Sequence, residues 1–277
     1  MKVLELIQRT ADYFERQGVD SPRLTIELML THVLKCKRLE LYLQFEREIG
    51  EPNLGQLREM VRRRASGEPL QYVLGVASFY GLEFAVDKRV LIPRPETELL
   101  ADYVVKNMAT ARTIVDLGTG SGVVAIALAK NLSAANVLAV DASGDALEVA
   151  RANAAKHEAK VGFFQGDLFE PLPPDLKFDV IVSNPPYIPS SEIASLAPEI
   201  RDYEPRAALD GGPDGLAVIT RIVRESKARL TPGGRVVVEL GAGQHDAAQR
   251  IFLDNGFRVE KMIADLQGHQ RMLVAAL

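Results

Sequence analysis

An Asn-Pro-Pro-Tyr tetrapeptide at residues 184–187 is the stretch of this sequence best suited to chemistry. It follows KFDVIV, an apolar and β-branched run that predicts a buried strand. Pro185 and Pro186 lack a backbone N–H and restrict the backbone, so the chain leaves the strand stiffly. Such a loop holds the Asn184 amide and the Tyr187 ring in one geometry and leaves backbone carbonyls free to accept hydrogen bonds. The alternative is a rigid loop exit without a chemical role.

These groups suit the transfer of a methyl group to a planar nitrogen. The lone pair of an amide or aromatic amine is delocalised, so the nitrogen must be turned toward the methyl donor. An NH₂ group that donates to the Asn184 side-chain oxygen and to the Pro185 carbonyl would be held in that orientation, with Tyr187 stacked on the flat group. Asn184, Pro185 and Tyr187 are therefore the candidate catalytic residues. Hydride transfer would need an acid or base such as histidine, and residues 183–189 contain none.

A glycine-rich turn, DLGTGSG at residues 116–122, follows another predicted strand and precedes an apolar helix. Its glycines let the backbone approach a ligand, and the helix start offers free N–H groups. A dinucleotide fingerprint would have a further glycine where Val123 stands, so the match to an NAD site is imperfect. Asp141, at the end of the next strand, could accept both hydroxyls of a ribose. The candidate cofactor-binding residues here are Gly118, Thr119, Gly120, Ser121, Gly122 and Asp141.

The structural alternative is that Asp141 caps the helix beginning near Ser143 and that the glycines only ease packing. A third strand end carries GDLF at residues 166–169. There Asp167 could accept from an adenine amino group and Phe169 could stack on the adenine ring. Phe169 could equally be an ordinary core aromatic. Because Asn184 ends the fourth strand, it borders the same predicted crevice and joins the cofactor-binding candidates.

The elements that must position these residues alternate between strand and helix from residue 91 onward. The strands are apolar along their length, as strands buried on both faces are. This alternation predicts an α/β fold with a mostly parallel, doubly wound sheet. The last two strand-like segments, GFRVEKMIADL and HQRMLVAAL, predict an antiparallel pair at the edge of the sheet. Residues 91–277 are the predicted cofactor-binding domain.

The N-terminal part of the chain has a different pattern. Residues 1–68 read as short helices, with Ser21 and Pro22 marking the start of one of them. Aromatic and β-branched residues between positions 71 and 86, interrupted by Tyr80 and Gly81, predict two antiparallel strands. We therefore expect a small all-helical domain at 1–68 and a β-hairpin linker at 69–90.

Composition limits the classes of partner that the protein is expected to bind. The net charge is −4, and residues 1–90 carry 14 Lys and Arg against 13 Asp and Glu, so neither part has the basic surplus of a nucleic-acid binder. The cluster Arg62-Arg63-Arg64 suits either a helix C-terminus or contact with a partner's phosphates. Cys36 and the four histidines lack metal-ligand spacing, so no metal site is predicted. No apolar run approaches the roughly 20 residues of a membrane span, so we expect no membrane association and a cytoplasmic location.

The combined motifs resemble those of a known family. They are the hairpin SFYGLEF, LIPRPETE at 91–98, DLGTGSG, VSNPPYIP, ALDGGPDGL at 208–216 and VVVELGAGQ at 236–244. Together they are similar to the class I, Rossmann-like S-adenosylmethionine-dependent methyltransferases, and among them to the HemK-type glutamine N5-methyltransferases of peptide chain release factors. The resemblance covers essentially the whole chain. It implies methyl transfer from S-adenosylmethionine to the glutamine of the Gly-Gly-Gln motif of release factors.

The resemblance also implies roles for particular residues. Residues 118–122 and Asp141 would bind S-adenosylmethionine, and Phe169 would stand where the family places an aromatic on the adenine. Arg94 and Glu96 would belong to the substrate site by ordering the loop that closes it, although Glu96 also suits a helix start. The glutamine side chain would be received by Asn184, Pro185, Pro186 and Tyr187.

Two other functions fit parts of the sequence. A nucleic-acid amino-methyltransferase, acting on adenine N6 or guanine N2, would use the same NPPY chemistry but would be expected to carry a basic domain. A non-catalytic module that binds a partner through the helical domain would keep the cofactor fold only as a scaffold. The intact Asn184 and Tyr187 beside an intact glycine loop argue against the second of these.

Overall fold

The computed structural model describes every residue from Met1 to Leu277, and the chain divides into two compact units. The first comprises Met1–Gly75 and Ala197–Tyr203, and the second comprises Val76–Leu196 and Glu204–Leu277. Residues 69–75 therefore belong with the helices and residues 76–90 with the sheet, within the range 69–90 that was predicted to be one linker. No helix is both long and apolar enough to cross a membrane.

Helices form the first unit, as predicted for the N-terminal region. They are α1 (Val3–Arg16), α2 (Pro22–Leu34), α3 (Arg38–Leu43), α4 (Glu51–Ala65) and α5 (Leu70–Leu74). Their apolar faces meet in one core, to which α1 contributes Leu6, Ile7 and Phe14 at helical spacing. Proline occupies the first position of α2, directly after Ser21, where the sequence placed it.

Helix α5 corrects one prediction. The aromatic and β-branched residues from Gln71 onward predict a strand, but residues 70–74 are helical. Pro69 precedes this helix and Gly75 ends it with a left-handed φ of 73°, a combination typical of helix boundaries. Tyr72 and Val73 are buried, so tertiary packing overrides their preference for strands.

The arginine cluster at the end of α4 is neutralised within the first unit. Its ion pairs are Arg62–Glu59 at 2.5 Å, Arg63–Glu68 at 2.5 Å and Arg64–Glu199 at 2.9 Å. Arg63 also donates to the Tyr72 carbonyl at 3.1 Å. These contacts favour the helix-end interpretation of the cluster over a phosphate-binding patch.

The second unit holds nine strands. They are β1 (Val76–Phe79), β2 (Leu82–Ala85), β3 (Thr113–Leu117), β4 (Asn136–Asp141), β5 (Val161–Gln165), β6 (Phe178–Ser183), β7 (Leu230–Glu239), β8 (Arg258–Ala264) and β9 (Gln270–Ala276). The later helices are α6 (Thr97–Asn107), α7 (Val123–Asn131), α8 (Gly144–Lys156), α9 (Pro198–Arg201, in the first unit), α10 (Ala217–Ser226) and α11 (His245–Asp254), with 3₁₀ turns at Ile193–Ser195 and Arg206–Ala208.

Strands β1 and β2 form the predicted hairpin, which turns at Tyr80 and Gly81 with positive φ at both residues. The other seven strands form one sheet in the order β5-β4-β3-β6-β7-β9-β8. Neighbours from β5 to β7 are parallel, and β7, β9 and β8 are antiparallel, which confirms the predicted mostly parallel sheet with an antiparallel edge.

Alternation along the central strands buries both faces of the sheet. On β3, Ile114 belongs to one apolar core and Val115 to the other, and Val182 and Ile181 divide in the same way on β6. In the sheet, β4 lies on one side of β3 and β6 lies on the other side. The carboxyl ends of these strands therefore border the switch point where open α/β sheets bind ligands.

Candidate active site

The glycine turn between β3 and α7 takes a conformation that only glycine adopts readily. Gly118, Gly120 and Gly122 have φ of 72°, 55° and 82°. A Cβ on Gly122 would lie 3.1 Å from the Cβ of Ala150, whereas a Cβ on either of the other two glycines would meet no protein atom within 4 Å. Gly122 therefore allows close packing of α7, while the first two glycines leave space for a ligand beside the backbone.

Asp141 ties this turn to the end of β4. Its Oδ2 accepts from the Gly120 N–H at 2.8 Å, and its Oδ1 accepts from the Ser143 N–H at 2.9 Å. Ser143 itself caps α8 through the N–H of Ala146. Burial raises the pKa of Asp141, and both oxygens keep further lone pairs for a ligand's hydroxyl groups.

Asp116 is a residue of this site whose role the sequence reasoning missed. It is buried and accepts from the Thr119 hydroxyl at 2.6 Å and from the Ala125 N–H at 3.3 Å, so it fixes the turn from inside. Ser121 is also buried, and its carbonyl accepts from Asn153 at 2.9 Å. Burial raises the pKa of Asp116 to about 7. An acid at the end of a buried strand, the signal used for Asp141, could have identified it.

The GDLF segment combines an exposed acid with a buried aromatic ring. Asp167 is exposed and pairs with Arg221 at 2.8 Å. Phe169 is only 2% exposed and packs in the core against Phe178, with the Arg229 guanidinium 5.6 Å from the centre of its ring. The ring thus occupies a core position, which matches the alternative that Phe169 is a packing aromatic.

Asn184 lies beside the glycine turn, directly after β6. Its Nδ2 donates to the Thr97 Oγ1 at 3.0 Å, and this leaves Oδ1 as the free hydrogen-bonding end of the amide. One pocket is lined by Asn184, Thr97, Arg94 and the turn residues from Gly118 to Ser121. The structure therefore brings together the two motifs that the sequence assigned to cofactor and chemistry.

The backbone of the NPPY loop is anchored from several directions. Gln244 donates from Nε2 to the Tyr187 carbonyl at 2.8 Å and accepts from the Gly241 N–H at 2.9 Å. The Ile188 N–H donates to the Leu209 carbonyl at 2.9 Å. The Pro185 carbonyl accepts no hydrogen bond from the protein.

Glycines of the DGGPDG motif permit this anchoring because they pack directly against the loop. A Cβ on Gly211 would lie 2.7 Å from the Pro186 carbonyl oxygen, and a Cβ on Gly215 would collide with the Tyr187 carbonyl oxygen. The motif thus lets two backbone segments touch where no side chain fits. Its role follows from contacts far along the chain, and no local sequence signal reveals it.

Arg94 orders the segment that precedes α6. Its Nη2 lies 2.6 Å from the Glu204 Oε1, and the other oxygen of this buried glutamate accepts from the Ile92 N–H at 3.3 Å. Glu96 occupies the position before Thr97 but makes no side-chain cap. Arg94 is thus tied through Glu204 to the backbone of Ile92, and Glu96 lies directly before α6.

Tyr187 is half-buried near the carboxyl group of Glu239. Burial, followed by the nearby Glu239 carboxyl, raises the pKa of Tyr187 to about 12, so its hydroxyl stays protonated at neutral pH. Pro185 is buried and Pro186 is half-buried. The loop therefore presents a neutral ring, an amide oxygen and a carbonyl oxygen, all of which suit a flat polar group.

The fold of the second unit is that of a methyltransferase. A Pyrococcus furiosus methyltransferase superposes with a TM-score of 0.56 at 19% identity, covering 72% of this chain and 90% of that chain. The T. thermophilus 16S rRNA N2 G1207 methyltransferase, solved with AdoMet and guanosine, superposes with a TM-score of 0.51 at 20% identity. The match covers 72% of this chain and 49% of that chain. The sequence matches the methyltransferase small domain over residues 95–200 and the PrmC N-terminal domain over residues 5–75.

Closer relatives define the family. The release factor glutamine methyltransferase of Geobacter sulfurreducens is 44% identical, covering 92% of this chain and 89% of that protein. The protein of the same name from Rhodopirellula baltica is 41% identical, covering 98% of this chain and 95% of that protein. This chain belongs to the release factor glutamine methyltransferase family.

The raised pKa of Asp116 predicts how stability depends on pH. Its folded-state pKa of about 7 lies above the ordinary value of 3.8, so ionisation is resisted in the folded state and this carboxyl lowers stability as pH rises from about 4 to 7. Asp116→Asn cannot ionise. The free energy of unfolding of the variant should therefore rise relative to the parent protein by on the order of 1–3 kcal/mol between pH 4.5 and 8.

Urea denaturation at several pH values measures this difference. Asp145→Asn, on the exposed start of α8, is the matched control and should show a nearly constant difference from the parent. A difference between Asp116→Asn and the parent that does not change with pH would contradict the assignment.

Proposed function

We propose that this protein transfers a methyl group from S-adenosylmethionine to the side-chain amide nitrogen, N5, of the glutamine in the Gly-Gly-Gln motif of peptide chain release factors. The observation that carries the proposal is the Asn184 amide, which lines the pocket of the glycine turn and is held through Nδ2 by Thr97, with Oδ1 left without a partner in the protein. Family membership supports the substrate, since relatives over most of the chain bear the name release factor glutamine methyltransferase.

The residues of the turn fit the cofactor. Open space beside Gly118 and Gly120 would admit it close to the backbone, and the Asp141 carboxylate would accept from the hydroxyl groups of its ribose. Exposed Asp167 would accept from the adenine amino group, in competition with Arg221. When bound, S-adenosylmethionine supplies an electrophilic methyl group on a sulfonium.

Asn184 and Pro185 would orient the substrate. A primary amide has two N–H groups, and the Asn184 Oδ1 and the Pro185 carbonyl are two acceptors that the protein leaves unsatisfied. Donating to both would turn the face of the nitrogen toward the methyl donor and make the nitrogen more electron-rich. The Tyr187 ring would stack on the amide plane. Orientation and electrostatics supply the catalysis, and the proton leaves to water afterwards without a general base.

The substrate class has a direct test. The protein is incubated with labelled S-adenosylmethionine and, separately, with a release factor, DNA and ribosomal RNA. We expect one methyl group per release factor, on the Gly-Gly-Gln glutamine by mass spectrometry, and none after Gln→Ala at that position. Free glutamine should be a very poor substrate because one amide side chain offers too few atoms for tight binding. Label only on nucleic acid would instead support the amino-methyltransferase alternative.

The role of Asn184 predicts a separation of chemistry from cofactor binding. Asn184→Ala removes the acceptor that orients the nitrogen, so turnover should fall about 100-fold or more, with a smaller change in affinity for S-adenosylhomocysteine. Tyr187→Phe should be milder than Tyr187→Ala because stacking requires the ring. Steady-state kinetics and calorimetry measure both effects, and undiminished turnover in Asn184→Ala would remove the central claim.

The role of Asp141 predicts a loss of affinity for the cofactor. Asp141→Ala leaves ribose hydroxyls unpaired and frees the Gly120 N–H, so affinity for S-adenosylhomocysteine should fall by about 1–3 kcal/mol, or roughly 5- to 150-fold. Asp145→Ala makes the same change of charge nearby and should bind nearly as the parent does. Equal calorimetric affinities for the parent and Asp141→Ala would refute the cofactor site, as would tight binding of NAD.

A further inference from the structure

The backbone and the ring of Tyr187 both meet one short segment of the VVVELGAGQ motif. Gly241 and Gln244 lie in this segment, between the end of β7 and the start of α11. The Gln244 Nε2 donates to the Tyr187 carbonyl oxygen at 2.8 Å. A Cβ on Gly241 would lie 3.0 Å from the Cδ2 atom of the Tyr187 ring. The ring therefore occupies space that a side chain at position 241 would need.

The side-chain amide of Gln244 can be turned only one way. Its Oε1 accepts from the Gly241 N–H at 2.9 Å, a group that can only donate, and its Nε2 faces the Tyr187 carbonyl, a group that can only accept. Nε2 also lies 3.4 Å from the Gly215 carbonyl oxygen. The Gln244 N–H donates to the Gly241 carbonyl at 3.2 Å, so the segment is closed on itself and directs its NH₂ group at the NPPY loop.

A helix-capping role does not account for Gln244. This residue stands directly before α11, at a position where Ser, Thr, Asp and Asn are preferred because their side chains accept from the first N–H groups of the helix. The Gln244 side chain makes no such cap. Its amide bonds to Gly241 and Tyr187 instead, so its contacts serve the NPPY loop rather than the helix.

Glycine at position 241 is required by space and not by backbone conformation. The φ of Gly241 lies outside the left-handed region, so the backbone there suits any L residue. An added Cβ, however, would lie 2.7 Å from the Gln244 Oε1 in addition to its contact with the Tyr187 ring. The missing side chain thus makes room for the amide and the ring together.

We infer that Gly241 and Gln244 form a seat for Tyr187, and that Gln244 is a positioning residue that fixes where the ring lies when the substrate arrives. The inference rests on the proposed function, in which this ring stacks on the glutamine amide. The two prolines stiffen the chain before Tyr187 but do not hold its own carbonyl. With the carbonyl bonded to Gln244 and the ring packed at Gly241, the stacking surface is in place before the substrate binds.

Two single variants test the seat in the full-length protein, with a release factor as substrate. Gln244→Glu keeps the shape of the side chain and the acceptor for Gly241 but has no N–H group for the Tyr187 carbonyl. Gly241→Ala fills the space that the ring occupies. Each should lower kcat about 10-fold or more, while the KM for the release factor and the Kd for S-adenosylhomocysteine stay within about threefold of the parent values.

Matched controls make the same chemical changes elsewhere. Gln249→Glu adds the same charge on α11, and Gly55→Ala adds a Cβ that meets no atom within 4 Å. Both controls should keep the parent kcat. Thermal unfolding of each variant checks that the fold is intact.

The Tyr187→Ala background shows whether the seat acts through the ring. Because the ring that a damaged seat would misplace is gone, Gln244→Glu and Gly241→Ala should each slow Tyr187→Ala by no more than about twofold, whereas independent effects would multiply. Single-turnover reactions with labelled S-adenosylmethionine keep the slow variants measurable.

The inference is overturned if either folded seat variant keeps the parent kcat, if affinity for S-adenosylhomocysteine falls as far as kcat does, or if the losses multiply with that of Tyr187→Ala. Should Gln244→Glu fail to fold, Gly241→Ala and its double variant decide alone. Failure of the parent to methylate the release factor would refute the proposed function instead.

Discussion

The hydrogen bond from the Asn184 Nδ2 to the Thr97 Oγ1, 3.0 Å long, decides which end of the amide is available to a ligand. An asparagine amide can be turned two ways, and only one of them offers an acceptor oxygen. Thr97 begins α6 and Asn184 directly follows β6, so a helix start and a strand end must be placed correctly before the bond can form. The parallel sheet accomplishes this by fixing the strand end beside the glycine turn.

The same constraint explains why so much of the sequence around the site is glycine and proline. Two prolines remove backbone donors from the loop, and Gln244 holds its Tyr187 carbonyl. Gly211 and Gly215 let a second backbone segment touch the loop where a side chain would collide. The loop is rigid because its surroundings are filled, which pre-organises the acceptors and reduces reorganisation during the reaction.

Much of this arrangement could be predicted from the sequence because the signals are local. Strand periodicity gave the parallel sheet and its antiparallel edge, and the glycine spacing located the turn. The conformation at 70–74 could not be read in this way, because burial of Tyr72 and Val73 overrides their strand preference. Phe169 shows the same limit, since nothing in GDLF distinguishes a ring in the core from a ring in a crevice.

The residues missed at the site were missed because their partners are distant in sequence. Thr97 and Asn184 are 87 positions apart, and neither sequence neighbourhood reveals the bond. Glu239 and Asp116 carry a local signal, because each is an acid at the end of a buried strand, as Asp141 is. An acid there is costly unless the site uses it, so every such position merits the same scrutiny.

The most direct measurement is a crystal structure of this protein with S-adenosylhomocysteine and a release factor bearing its Gly-Gly-Gln loop. The account predicts that the glutamine amide nitrogen lies about 3 Å from both the Asn184 Oδ1 and the Pro185 carbonyl oxygen, with Asn184 still donating to Thr97. A glutamine bound away from these two acceptors, or an Asn184 amide turned so that Nδ2 faces it, would contradict the account.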